Sequence, residues 1–310
     1  MCFFKKRECV VDPIIHDEEA NFTLSNGVHI LNNCQNVSLS GSAIVLESFN
    51  TTFREISGKA KVQMVDNCEI DVLKGKAKIG LFKSGKITVV CGKASIVTIN
   101  DCVIDYVKDR ATVGTMNGGY IRFVDDRAEL ATITSGKVMF VRKRARIVTM
   151  ITGSITGIID NAHLVSMLNG NVTYLLNTSK IGTMNNGNVE LFADNSELST
   201  FNNGKIDEML GRSLISANMN GQIGYRDKQT IILYSPQESE RRMKEYKEAV
   251  ETESTSQYDD NVEEKVDEEL LAETEKKDEQ TENQGPAMEP KKRNTKSKAK
   301  TQQLNIEDVE

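Results

Sequence analysis

Gly75-Lys76-Ala77-Lys78-Ile79-Gly80-Leu81-Phe82 and Gly92-Lys93-Ala94-Ser95-Ile96-Val97-Thr98-Ile99 begin 17 residues apart and share one pattern of small and aliphatic residues. The pattern continues in both directions. Ala60, Ala77, Ala94, Ala111, Ala128, Ala145 and Ala162 recur every 17 residues, and Ser179, Ser196 and Ser213 extend the column. Two positions later stand Val62, Ile79, Ile96, Val113 and Leu130, and three further on Val65, Phe82, Ile99, Met116 and Ile133. The second half of each unit repeats the idea with Ile70, Ile87, Ile104, Ile121 and Val138, then Leu73, Val90, Val107, Val124 and Val141. Weaker units reach upstream through Ala43, Val45, Phe53 and Ile56 to Val28, Leu31 and Leu39.

A helical repeat needs about 30 or more residues per unit to make two helices. Seventeen residues rich in Val, Ile and Thr, with Gly and Asn between them, suit one turn of a single-stranded β-solenoid. The 204 residues from Asn26 to Gln229 divide into twelve such units without an insertion. At ~4.8 Å per turn they make an all-β rod on the order of 55–60 Å long. Residues 1–25, with Pro13, Ile14 and Ile15, are the expected N-terminal cap. Thr230-Ile231-Ile232-Leu233-Tyr234 reads as a last strand out of register. Ser235-Pro236-Gln237-Glu238 reads as a helix start, with Ser as N-cap, Pro at N1 and Glu at N3. That capping strand and helix occupy 230–250 and would block one end of the rod. Residues 251–310 are expected to be a disordered tail, acidic over 251–290 and then basic through Lys291, Lys292 and Arg293.

Composition narrows the class further. Apolar residues make up 38% of the 310-residue chain, aromatics 5%, and Trp is absent, which argues against a large aromatic-rich core. No apolar run approaches the roughly 18 residues of a membrane-spanning helix. The start, Met1 to Arg7, has too short an apolar stretch for a secretory core, and six cysteines are then read as reduced thiols in a cytoplasmic protein. Cys34, Cys68 and Cys102 fall in one inward column two turns apart, ~9.6 Å against the ~7 Å limit for a disulfide. They are small core residues, neither a disulfide framework nor a metal site. The net charge of -6 is uneven: 22 acids against 13 bases from Ser235 onward, and 23 against 26 before it.

In a solenoid an outward position becomes a column. Lys59, Lys76, Lys93, Arg110, Arg127 and Arg144 form a basic ladder suited to an anionic polymer or a neighbouring subunit's acids. Its plainer reading is a row of turn residues partly neutralised by Asp109 and Asp126. Nucleic acid fits this ladder poorly, because no aromatics interleave and the solenoid's net charge is small. Thr98, Thr115, Thr132, Thr149, Ser166, Thr183 and Thr200 form a hydroxyl ladder, either a docking strip or a corner residue with high β propensity. Val72, Val89, Tyr106, Phe123, Phe140, Tyr174 and Leu191 form an apolar column beside an inward one that is also apolar. Both cannot point inward if strands alternate, so one is expected outside or at a corner, where a contiguous stripe marks an interface. Asn169, Asn186, Asn203 and Asn220 should stack at a turn and hydrogen-bond along the rod.

No catalytic constellation stands out. The carboxylates nearest one another, Asp105, Asp109, Asp125 and Asp126, sit at recurrent turn positions beside Lys or Arg, and no insertion interrupts the register to build a pocket wall. No cofactor motif appears.

The segments 75–79, 92–96 and Ser135-Gly136-Lys137-Val138 resemble the tandem small-Ala-x-Val repeats of proteins from phages and gut bacteria. That resemblance spans about residues 26–229 and implies a β-solenoid, in some cases a virion or fibre part. Met1-Cys2-Phe3-Phe4-Lys5-Lys6 looks like the short membrane-touching start of bactofilins, cytoskeletal β-helices that polymerise end to end. The sequence therefore points to a non-enzymatic structural or interaction protein that self-associates or docks a protein partner, with a tail that recruits another. Membrane contact would at most be peripheral, through the N-terminus. The alternatives are a bactofilin-like filament former and a glycan-binding or glycan-cleaving fibre.

Overall fold

The computed structural model describes residues 12–237, 239–241, 243–245, 247 and 248. The basic start and the acidic-then-basic tail expected from the sequence lie outside the described residues. The chain is a parallel β-solenoid of about 13 turns of about 17 residues, with a small helix near the C-terminus. Each regular turn carries two short strands, for example Ser95–Ile99 and Val103–Val107. Both pair in parallel with the equivalent strands one turn on either side. In the middle of the coil the two strands of a turn fuse into Thr112–Val124 and Glu129–Val141.

The inward residues of one turn are Ala94, Ile96, Ile99, Cys102, Ile104 and Val107, all within 1% of complete burial. Two outward residues separate Ile96 from Ile99. The ladder accommodates them by skipping one: Ser95, Ile96, Thr98 and Ile99 have paired partners, and Val97 does not. The strand bends at the skipped residue. A five-residue strand thereby turns two side chains inward at a spacing of three, which strict alternation would forbid. Of the two adjacent apolar columns, Val90, Val107 and Val124 are thus inside, and Val89, Tyr106 and Phe123 outside.

The coil turns at a column in the left-handed region. Gly41, Gly58, Gly75 and Gly92 have φ between 53° and 73°, and Asp109, Asp126, Lys143, Asp160, Asn177 and Asp194 continue the column at 60–65°. A side chain there is strained unless it finds a local hydrogen bond, and the aspartates find one across the turns. Asp109 Oδ2 accepts from Gly92 N at 2.9 Å, Asp126 from Asp109 N at 3.4 Å, Asp160 from Lys143 N at 3.1 Å, and Asp194 from Asn177 N at 3.0 Å. Two residues later the fully buried alanine donates its N–H back across the turn, as Ala128 does to the Asp125 carbonyl at 3.0 Å.

The second turn of each coil changes along the rod. In the N-terminal half its residue is Cys34, Thr51, Cys68, Gly85 or Cys102, and the thiols donate to backbone carbonyls such as those of Asn32, Asp66 and Asn100. Burial pushes the Cys102 thiol up to about 12. Beyond residue 118 the same column is Gly119, Gly136, Gly153, Gly170, Gly187 and Gly204, all with positive φ. A Cβ at Gly136 would lie 2.7 Å from Met116 Cε, and at Gly187 2.5 Å from Met167 Cε. Long inward methionines fill the space the missing side chains leave, so core density is kept.

Both ends differ from expectation. Ile14–Asp17 and Thr23–Leu24, within the segment read as a cap, form a shortened first coil that pairs with the next at 15 residues. The second coil is a residue short as well, Val28 pairing with Ile44 and His29 with Val45. The uniform 17-residue division had placed Val28 inward, whereas His29 occupies that position at 4% exposure. At the other end Ile231–Tyr234 stays in register: Leu214 pairs with Ile231, Ile215 with Ile232 and Ala217 with Tyr234. Buried Thr230 continues the alanine–serine column. Pro236 opens the helix, with Ser239 N bonded to the Ser235 carbonyl at 2.9 Å. Its described residues from Gln237 onward are exposed, and Ile223 and Ile232 at that end are half-buried against the core.

Gly119 has φ +79°, and a Cβ would sit 2.2 Å from the Cys102 carbonyl oxygen, backbone that cannot yield. Gly119→Ala should therefore cost about 2 kcal/mol or more. Asp109→Gly, which loses one hydrogen bond but relaxes a left-handed residue, should stay within about 1 kcal/mol of the parent. Urea midpoints of the two variants check this.

Candidate functional site

The aromatic column is a stack on the second strand of successive turns. Tyr106 and Phe123 have ring centroids 5.0 Å apart, and Phe123 and Phe140 5.9 Å, both pairs inclined at 16°. The rings are half-buried, facing one another along the rod and presenting their edges outward. Arg142 lies over Phe123 with Cζ 4.2 Å from the centroid, and Arg122 flanks it at 5.3 Å, the geometry of cation–π attraction. Arg142 is held from its other side by Asp125, Nε to Oδ1 at 2.8 Å and a terminal nitrogen to Oδ2 at 2.6 Å. This forked pair, with the Asp125 side chain 9% exposed, raises the guanidinium pKa further. The stack stops at Gly157, where a Cβ would meet Phe140 Cδ1 at 2.7 Å. Tyr174, expected in the same stripe, stands one turn beyond at 41% exposure and outside the stack.

The hydroxyl ladder is on the first strand of each turn. Thr98 pairs with Thr115, Thr115 with Thr132, Thr132 with Thr149, and Thr149 with Ser166, all half-buried. Gly114, Ala131 and Val148 stand beside them at the skipped position. The aromatic and threonine columns thus belong to different strands of the turn and do not form one patch.

The basic ladder lies on the turn between those strands. Lys59, Lys76, Lys93, Arg110, Arg127 and Arg144 are all exposed, each with its backbone N–H donated to the coil before. Asp109 and Asp126 form no ion pair with them. Their carboxylates accept backbone N–H groups of the turn, and Asp126 also takes the Lys143 ammonium at 2.8 Å, which holds its carboxyl below the usual range. Among the described residues none of the six ladder cations has an acid within ion-pair distance, whereas the neighbouring Lys74, Lys86 and Arg142 are paired with Glu55, Asp105 and Asp125. Charge is thus concentrated on one edge of a solenoid that is nearly neutral as a whole.

The asparagine ladder is displaced from where it was expected. Amide-to-amide bonds link Asn50 to Asn33 and Asn117 to Asn100 at 3.2 and 3.1 Å, and Asn202 to Asn185 at 2.7 Å. Asn186, Asn203 and Asn220 are instead exposed. The four carboxylates examined for catalysis each have a partner: Asp105 with Lys86 at 3.0 Å, Asp125 with Arg142, and Asp109 and Asp126 in the turns. No three metal-binding side chains gather among the described residues, and no described helix is long and apolar enough to cross a membrane.

Sequence reasoning missed the Asp125–Arg142 fork and the two imidazoles at the N-terminal end. The first was within reach: Lys74, Cys91, Lys108, Asp125 and Arg142 are one 17-residue column, in which opposite charges on adjacent rungs are close enough to pair. The second depends on shortened coils that the repeat does not announce.

The fold places the chain in the class of parallel β-solenoids. No family model, curated protein or solved structure matches it.

Replacing Asp125 by Ala leaves the Arg142 charge against the aromatic stack without its fork. A loss of about 1–3 kcal/mol is expected, read as a lower urea midpoint. The Asp125→Asn/Arg142→Gln double variant should lose less than the sum of the singles.

Proposed function

We propose that this chain is a non-enzymatic interaction scaffold, a rigid β-solenoid that docks a second copy or another protein on the ledge formed by Tyr106, Phe123 and Phe140. The observation that carries this reading is the half-exposed aromatic stack locked by Asp125 and Arg142. Rigid aromatic and arginine side chains lose little entropy on binding and are the residues that anchor interfaces. The exposed basic ladder, whose Arg110, Arg127 and Arg144 each follow a ring by four residues, adds a charged rim that would favour a partner with acidic borders. The threonine strip offers a flatter second surface on the other strand.

Light scattering after size exclusion tests it, on the full-length protein and on a version ending at Gln237. A discrete dimer or trimer in both, dissolved by Phe123→Lys with Phe140→Lys, is the expected result for self-association. A monomer in both removes self-association and leaves the ledge for a different protein, detected as a complex that the same double variant loses.

A second reading, a head-to-tail polymer of the bactofilin kind, draws on the open ends. Ile14–Asp17 pairs only with His29–Asn32, and Ile231–Tyr234 only with the strand of Leu214, among the described residues. Ile14 and Ile15 are 55% and 64% exposed, Leu233 and Tyr234 68% and 51%. Unpaired apolar edges of this kind invite strand addition. Filaments visible by negative stain and lost on Leu233→Lys, yet indifferent to Phe123→Lys, would establish this reading over the first.

A further inference from the structure

At the N-terminal end His16 and His29 form a chain of three hydrogen bonds. His16 Nδ1 is 3.0 Å from Glu19 Oε2, His16 Nε2 is 3.1 Å from His29 Nδ1, and His29 Nε2 is 2.6 Å from the Asn26 carbonyl oxygen. The outer partners are a carboxylate and a carbonyl, so two protons are committed at the ends of the chain. The nitrogen–nitrogen contact needs a third. Two neutral imidazoles carry only two N–H groups between them. The chain is complete only with one extra proton, wherever along it that proton resides.

We propose that His16 and His29 form a site for a single proton that fastens the first coil of the solenoid to the second. His16 is on the strand Ile14–Asp17 and His29 on Val28–Asn32, so the contact bridges the pairing that holds the first coil. The site is built. His29 occupies an inward core position at 4% exposure, and the His16 ring stacks on Phe22 with centroids 5.1 Å apart. Gly27, at φ +85°, would place a Cβ 3.1 Å from His29 Nε2, so glycine is what lets the Asn26–Gly27 turn close over the imidazole. The Cys34 thiol donates to the His16 carbonyl at 3.6 Å and to that of Asn32 at 3.2 Å.

The charged groups described around the pair are acidic. The described first coil brings Asp12, Asp17, Glu18 and Glu19, and the strand packed beyond His29 brings Glu47; these segments carry no lysine or arginine. Without the proton, two lone pairs face each other across 3.1 Å or one outer bond is given up. A strand of four residues with Ile14 and Ile15 exposed has little else to hold it. The first coil is therefore held while the third proton is bound and loosens once rising pH removes it. The ligand is a proton, and what it controls is whether Val28–Asn32 is a covered strand or an open edge.

Whole-protein melting is the wrong readout. Burial, with Arg146 and Lys180 nearby, lowers the His163 pKa. A histidine lowered in the fold favours the folded state at high pH and opposes it as pH falls through the unfolded value, against the sign expected for the first coil. Hydrogen exchange read locally on the full-length protein separates the two. Peptides covering 12–24, compared at about pH 5.5 and about pH 8 after correction for intrinsic exchange, should be about tenfold better protected at the lower pH, the loss of one charge-assisted bond. Peptides covering 95–107 should show no such ratio. His29→Val restores the residue type of the column, and His16→Gln donates to His29 Nδ1 without a titrating proton. Both should keep the coil and abolish the ratio. A ratio near one in the parent, or an unchanged ratio in both variants, overturns the proposal. If either variant loses the coil, nitrogen-15 spectra of the parent's imidazoles decide: two rings sharing three protons at low pH support it, and two rings titrating independently overturn it.

Discussion

Stacking each strand on its own successor is the constraint from which the rest of this molecule follows. The parallel ladder fixes the rise, so residue i lies against residue i+17 throughout the regular coils. A side chain in the interior has its counterparts above and below as its nearest neighbours, and whatever fits once must fit repeatedly. The turn column is filled by fully buried alanine and then serine. The neighbouring column is left-handed from Gly41 to Gly211, and aspartate satisfies it by bonding across rungs. Even the bend within each strand is a stacked feature, one unpaired residue per strand repeated along the rod.

This redundancy explains what could be read from the sequence and what could not. Ala111, Val113, Met116, Ile121 and Val124 announce their burial through many copies of the same spacing, and the fold is legible without any single residue being decisive. The regular period also misled at the edges. Coils at the N-terminus lose one or two residues, and nothing in Val28-His29-Ile30-Leu31 reveals that the histidine replaces the valine as the inward residue. The last strand kept the register that its bulky Ile231-Ile232-Leu233-Tyr234 disguised.

The surface was less legible for a related reason. Outward columns are under no common packing demand, so each rung is set by its local partners. Lys74, Cys91, Lys108, Asp125 and Arg142 share a position and little else, yet two adjacent rungs of that set make the fork that holds Arg142 over Phe123. Tyr174 shares the column of the aromatic stack but is divided from it by Gly157, a gap as informative as the rings. The aspartates that looked like ion-pair partners for the basic ladder accept backbone N–H groups of the turns beneath it and form no ion pair with it. Local hydrogen-bond demand decided these cases, and spacing alone does not report it.

The 17-residue register from Ile44 to Tyr234, shifted only locally where Asn117 faces Ser135, has a consequence for how such a chain changes over generations. Removing or duplicating any 17 consecutive residues in that span joins backbone to backbone at equivalent positions and returns every side chain to its column. Rod length is therefore a nearly independent heritable quantity, adjustable by unequal recombination between near-identical coding segments. The surface features are less uniform: a 17-residue excision within 106–142 would remove one ring of the aromatic stack while leaving the coil able to close. Length can drift in a molecule of this kind, and its specific features are tied to individual rungs.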